Sequence, residues 1–170
     1  HIDKLRGTWK SGVGACELTW CYYFPVNTLP IGIRWLSLYD VWDHKDPRVL
    51  PFQYGMKLED TRPESVFWVN EIFRYNELGA GFCEPVRILR NGEVILQYQT
   101  QQNEAMILSR GFETNLNGLR CVACNTGLVN SQLFDAVWDP ERYDAMITFQ
   151  WTPRGQWTVS MYTTKPDIDL

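Results

Sequence analysis

The sequence predicts an all-β fold, a closed antiparallel β-barrel of about ten strands with one or two short helices, on three observations. Turn-forming residues recur along the chain, the segments between them alternate with period two, and aromatic residues make up 14% of the 170 positions. With 8 Trp, 8 Tyr and 8 Phe, the chain is rich in side chains that suit a pleated, half-buried surface and also suit binding sites for flat or apolar ligands. An open sheet of so many strands accumulates twist and leaves edges that invite aggregation, and closure removes them. The interior of a small barrel is either filled by side chains or left as a cavity for one small ligand.

The elements follow from the turns. Asn91-Gly92 and Asn117-Gly118 are the dipeptides that tight hairpins demand, because both central positions need positive φ. Pro153-Arg154-Gly155 marks a third hairpin and residues 76–81 a looser fourth. Strands are then expected at 15–24, 33–42, 53–59, 66–75, 82–89, 93–101, 105–114, 119–126, 145–151 and 156–163. Helix is expected for one turn at 2–6 and over 128–137, where Asp139-Pro140 would end it. Residues 43–51, rich in Asp, Lys, Arg and Pro, read as a loop over one end of the sheet. No repeat or linker-like tract divides the chain, so one domain over 1–170 is expected.

Bulk properties narrow the function. A formal net charge of −4 and a pI of about 5.2 provide no diffuse positive field for a phosphate backbone, so nucleic acid is not expected as a partner. No apolar run reaches the roughly 20 residues of a membrane span. The chain opens on His1 rather than Met, from which we expect an upstream signal peptide, tag or domain to have been removed. Cys121 and Cys124 form a C-x-x-C pair, and Cys16 and Cys21 a C-x4-C pair, but residues three or five apart on a strand point to opposite faces. Cys83 makes the count odd, which argues against a complete disulfide framework. Neither a metal nor a cofactor is expected. His1 with His44 could form a copper brace of the kind seen in lytic polysaccharide monooxygenases, but nothing else in the chain supports it. No nucleophile elbow, phosphate loop, dinucleotide fingerprint or zinc-protease helix occurs.

Leu5-Arg6-Gly7-Thr8-Trp9-Lys10 sets a Gly-x-Trp just after a possible helical turn. This resembles the opening of the calycins, the lipocalin and fatty-acid-binding-protein superfamily, in which the tryptophan packs across the closed end of the barrel. Within the calycins the chain is similar to nitrobindin-like barrels over about half its length. That likeness rests on Gly7-Thr8-Trp9 with Gly12 and Gly14, on Arg87-Ile88-Leu89 running to Asn117-Gly118, and on Thr158-Val159-Ser160-Met161. The resemblance implies a barrel with a ligand inside. Nitrobindins hold haem on a histidine of the last strand, and here no histidine follows His44, so haem is not implied.

Three functions are expected in order. The first is binding of a small hydrophobic or aromatic molecule, with Trp20, Tyr22, Trp35, Phe67, Phe73, Tyr98 and Phe149 as walls and Glu71 or Arg74 as polar anchor. The second is a cofactor-free cyclase, isomerase or lyase. Glu71, sharing an alternating face with Phe67, Val69, Phe73 and Tyr75, would be its acid or base, and His44 a second group at the pocket mouth. The third is an interaction module with its aromatics on an outer face.

Overall fold

The structure is a computed structural model that describes residues 10–74 and 83–170. It overturns the all-β barrel: the described residues form four α-helices, a π-helical turn, a short 3-10 helix and one open four-stranded sheet. The chain divides into two compact units, His1–Gln97 and Tyr98–Leu170.

The first unit is helical. Its elements are α1 (Ala15–Tyr23), α2 (Ile31–Asp40), α3 (Val49–Met56), a π turn (Trp68–Ile72) and the first part of α4 (Val86–Arg110). The expected strands at 15–24, 33–42, 53–59, 66–75, 82–89 and 93–101 are therefore absent from the described residues. In α2 the physical reason is burial on several sides: Gly32, Ile33, Trp35 and Ser37 are all buried. A helix apolar around its circumference carries no 3.6-residue stripe, and a short apolar run cannot be told from a buried strand by periodicity. The core gathers Ile33, Trp35, Val49, Phe52, Phe67, Ile72 and Ile88.

Glycines that read as turns instead bring helices together. Gly92 lies inside α4, so the expected Asn91-Gly92 hairpin does not form. A Cβ on Gly92 would overlap the carbonyl oxygen of Pro51 and sit 2.7 Å from the Gly55 nitrogen, while one on Gly55 would overlap the Ile88 carbonyl. These two glycines let α3 and α4 touch backbone to backbone, a use of glycine distinct from its tolerance of positive φ. Gly14 works similarly. A Cβ there would lie 2.8 Å from the Ser37 Cα, and its own N–H donates to the buried Ser37 Oγ at 2.8 Å.

The second unit matches its expected strands better. It contains β1 (Gly111–Leu116), β2 (Leu119–Asn125), β3 (Ala145–Trp151) and β4 (Trp157–Tyr162) in that spatial order. The Asn117-Gly118 hairpin forms as expected: φ is +54° and +92° at those residues, and Leu116 pairs with Leu119. Gly155, at φ +73°, turns β3 into antiparallel β4. Between these hairpins β2 and β3 run parallel, which no meander allows. The connection carries the 3-10 helix Ser131–Phe134, whose first turn is capped by the Asn130 side chain, in place of the longer helix expected over 128–137. One sheet face packs Val122, Cys124 and Met146 against Ile107, Leu133, Phe134 and Tyr143. The other carries Cys121, Ala123, Ala145 and Ile147, bordered by Leu119, Phe149 and Met161.

The calycin architecture is thus not found. Gly7-Thr8-Trp9, the helical turn at 2–6 and the loose turn at 76–81 lie outside the described residues. Of the other residues behind the likeness, Arg87-Ile88-Leu89 lie on α4 and Thr158 to Met161 on β4.

Candidate functional site

Of the aromatic residues expected to line a cavity, Trp20, Trp35, Phe67 and Phe73 pack in or against the core of the helical unit. Trp35 is fully buried on α2, its ring 5.1 Å from Phe52 and its Nε1 donating to Asp46 Oδ2 at 3.1 Å. Phe67 is buried in the same core. Trp20 stacks on Phe73 at 5.3 Å, and Phe73 in turn lies 6.2 Å from Trp68. Tyr22 is 70% exposed on α1, so it belongs to no interior. Tyr98 is exposed on α4 in the second unit, and Phe149 lies on β3 against Phe112 and Trp157. Within each unit the buried rings pack against neighbouring side chains, and the described strands form an open sheet with no barrel lumen.

Glu71 and Arg74 take different places from those expected. Glu71 stands on the π turn and accepts from Arg87, which also grips Glu59 through both oxygens at 2.8 and 3.0 Å. The two carboxylates, Glu59 first, hold the Arg87 guanidinium well above its usual range. Glu71 is thereby committed to an ion pair and faces none of the hollows described below. Arg74 is exposed at the end of this segment, its carbonyl accepting from the Cys83 N–H.

His44 lies at the wall of an open hollow. The turn after α2 runs Val41-Trp42-Asp43-His44-Lys45, and together with Gly12 it lines an open hollow of about 470 Å³. Local backbone bonding builds it: Val41 N–H donates to Ser37 O, Trp42 N–H to Tyr39 O, and Asp43 N–H to Leu38 O at 2.9 Å. Closing the helix this way drives Trp42 to φ +60°, a left-handed conformation that costs a bulky residue energy. Gly12 across the hollow is left-handed too, at φ +73°. Strain of this kind concentrates where a side chain must be aimed at a ligand.

The aimed side chains form an aromatic and charged set. The His44 imidazole stacks nearly parallel on Tyr39, centroids 5.5 Å apart at 18°, and meets the Trp42 indole at 4.7 Å. Trp42 keeps 55% of its surface in solvent. Asp43 accepts from the Lys45 backbone N–H at 3.3 Å and faces the Lys45 ammonium at 3.7 Å, a loose pair on an exposed lysine. Just beyond, Asp46 is bound by Arg48, which holds its carboxyl down to about 2, and Arg48 itself lies over the Trp35 ring at 5.1 Å. The loop is therefore anchored at its far end to the core.

Sequence reasoning identified His44 and the irregular stretch that holds it, but it missed Trp42, Asp43, Lys45 and Gly12. A bulky residue forced left-handed has no sequence signature. Trp42 also reads as the last residue of a strand when α2 is taken for one.

The second unit has hollows as well, and their charges are spent internally. One is lined by Glu113, Arg120, Arg142 and Tyr143, among others. Arg142 pairs with Glu113, Tyr143 Oη donates to Glu113 at 3.1 Å, and Asp144 is shared by Arg120 at 3.1 Å and Lys165 at 2.6 Å. Arg120 first, then Lys165, holds the Asp144 carboxyl far below the usual carboxylate range. Cys121 and Cys124 lie in the clusters on opposite faces of the sheet, so the C-x-x-C pair cannot converge on one ion. Cys16 and Cys21 stand five apart on α1, a helix rather than the expected strand, and among the described residues no cluster of metal-ligating side chains forms. No described helix is long and apolar enough to cross a membrane.

Comparison with known proteins yields no match to a protein-family model, a curated protein or a solved structure.

Proposed function

We propose that the helical unit binds a small, flat, polar molecule in the hollow at the end of α2. The observation that carries this reading is the left-handed backbone at Trp42, which holds a half-exposed indole beside a stacked histidine at the wall of the hollow. An exposed indole face offers a stacking surface for an aromatic ring. Asp43 supplies an acceptor, Lys45 a mobile cation for a carbonyl or anionic group, and His44 a ring nitrogen that can donate or accept. The expected ligand was hydrophobic or aromatic and inside a barrel; the one proposed here is aromatic but polar, and sits on a surface turn.

A second reading is favoured by the histidine itself. Histidine is the side chain best suited to proton transfer near neutral pH, and a carboxylate from the adjacent residue shares the hollow. Proton transfer on a bound heterocycle would then be the activity, with His44 as the acid or base in place of Glu71.

Both readings are tested by a thermal-shift panel of planar heterocycles such as adenosine, riboflavin, nicotinamide and indole-3-acetate. At least one probe is expected to raise the melting temperature of the wild-type protein and not of Trp42→Ala. A panel without any response at millimolar concentration refutes the binding reading. Turnover of a bound probe that survives His44→Gln refutes the proton-transfer reading.

A further inference from the structure

We infer that β4 is a self-association edge: two copies of the chain pair their β4 strands antiparallel about Val159, joining two four-stranded sheets across a twofold axis. The inference is independent of the hollow on the helical unit.

β4 lies at the border of the sheet and pairs only with β3. Among the described residues its backbone makes no hydrogen bond outside that ladder, which leaves its outer row of N–H and C=O groups without a backbone partner there. Such a row is a template for another strand, and monomeric proteins guard it with Lys, Pro, a bulge or an inward charge. The six residues Trp157-Thr158-Val159-Ser160-Met161-Tyr162 contain no charged residue, no Pro and no Gly, and their register with β3 is unbroken. All except Ser160 and Met161 belong to the types enriched in strands.

The opposite edge, β1, is guarded. Glu113 sits in its middle and is bound by Arg142 and Tyr143. Pairing β1 with itself would bring two such carboxylates close together, which is destabilising. β4 places no charge against its own copy, whereas a charged partner strand would meet no counter-charge there. Charge therefore does not oppose pairing with a second β4.

The sequence of β4 is also complementary to itself in register. Side chains 157, 159 and 161 share one face, and 158, 160 and 162 the other. Antiparallel pairing about Val159 sets Val159 against Val159 of the partner subunit, Trp157 against Met161 of the partner subunit, and Thr158 against Ser160 of the partner subunit. Apolar faces apolar and hydroxyl faces hydroxyl, the favourable cross-strand combinations. Trp157 and Val159 are 59% and 55% exposed in the single chain, and ring contacts continue that patch through Phe149 to Phe112 and through Trp151. An exposed apolar rim beside an unpaired edge is what such a junction would cover.

The test is sedimentation velocity of the full chain at about 100 µM, a concentration that populates a dimer of micromolar Kd. The expected particle has twice the 19.9 kDa mass of the chain. Val159→Lys, at an exposed site, sets two ammonium groups face to face at the axis and is expected to run as a single chain with an unchanged circular dichroism spectrum. Should that variant misfold, amide exchange of the wild-type protein gives the answer alone: β4 amides slow as concentration rises and β1 amides do not. A wild-type monomer at that concentration, a dimer that persists in folded Val159→Lys, or concentration-dependent protection outside β4 overturns the inference.

Discussion

Replacing Gly92 by alanine separates the two uses of glycine. On an exposed helix position this change stabilises by about 1 kcal/mol, because alanine restricts the unfolded chain and favours helix. At Gly92 the added methyl overlaps the Pro51 carbonyl oxygen and stands 2.7 Å from the Gly55 nitrogen, where ordinary contact begins at 3.4 Å. Even the softer of these contacts asks for a shift of about 0.7 Å, and both opposing atoms are backbone, so no side chain can rotate away. Parting α3 from α4 loosens Phe52 and Ile88, which are both fully buried. Overpacking by one methyl costs ~1–3 kcal/mol, and rigid backbone on the far side places Gly92→Ala at or beyond the upper end. Against the helix-propensity gain of ~1 kcal/mol, the net expectation is a loss of ~2 kcal/mol. Urea unfolding followed by far-UV circular dichroism measures it, with Asn91→Ala as the control. Asn91→Ala is expected to stay within about 0.5 kcal/mol of wild type, since in a helix Asn91 serves no turn. A Gly92→Ala protein as stable as wild type, or more so, refutes the close approach. A large loss in Asn91→Ala would instead favour the hairpin.

Three further outcomes follow from the same structure. Leu128 is left-handed at φ +59° with its side chain fully exposed, so Leu128→Asn should raise stability by about 0.5–1 kcal/mol; a loss in urea unfolding would contradict the backbone conformation. Asp46 is held down to about 2, chiefly by Arg48, against an unfolded value near 3.9. Because the folded value is the lower one, this stabilisation is fully present above about pH 4 and fades as pH falls towards 2. Asp46→Asn should flatten the acid limb of stability against pH, and an unchanged limb would remove the pair from the account. Burial pushes the Cys121 and Cys124 thiols up, while Cys21 is exposed. A thiol reagent at neutral pH should therefore modify Cys21 first and reach Cys121 and Cys124 only on unfolding. Rapid reaction at Cys124 would count against the packed sheet.

What was legible in the sequence depended on whether the local signal and the tertiary use agreed. Asn117-Gly118 and Gly155 sit where turns need positive φ, and the strands beside them, 119–126, 145–151 and 156–163, were read nearly to their bounds. Asn91-Gly92 has the same local signal, but the close approach of α3 decides its role, and that partner lies far away in sequence. Expecting a hairpin there cut α4 into three strands. Yet its buried and half-buried residues Ile88, Gly92, Ile95, Gln99, Asn103 and Ile107 recur at helical spacing across the supposed turn. Aromatic and β-branched composition misleads in α1, which has no fully buried residue to mark a stripe, and in α2, which buries residues on several sides. For the site, His44 is singled out because histidine is rare in this chain and this one stands in residues 43–51, which read as a loop. Trp42 is not, since its role comes from a backbone angle that appears only once α2 is known to end at Asp40.

Ligand binding at the hollow depends on the wall formed by Tyr39, His44 and Trp42, and proton NMR of the histidine rings reads that wall. His44 is assigned by its loss in His44→Gln. Its carbon-bound ring protons should resonate well upfield of free histidine, shielded by the two aromatic faces, and should move again when a heterocycle that stabilises the protein is added. His44 protons at the free-histidine position, or unmoved while the probe binds, would contradict it.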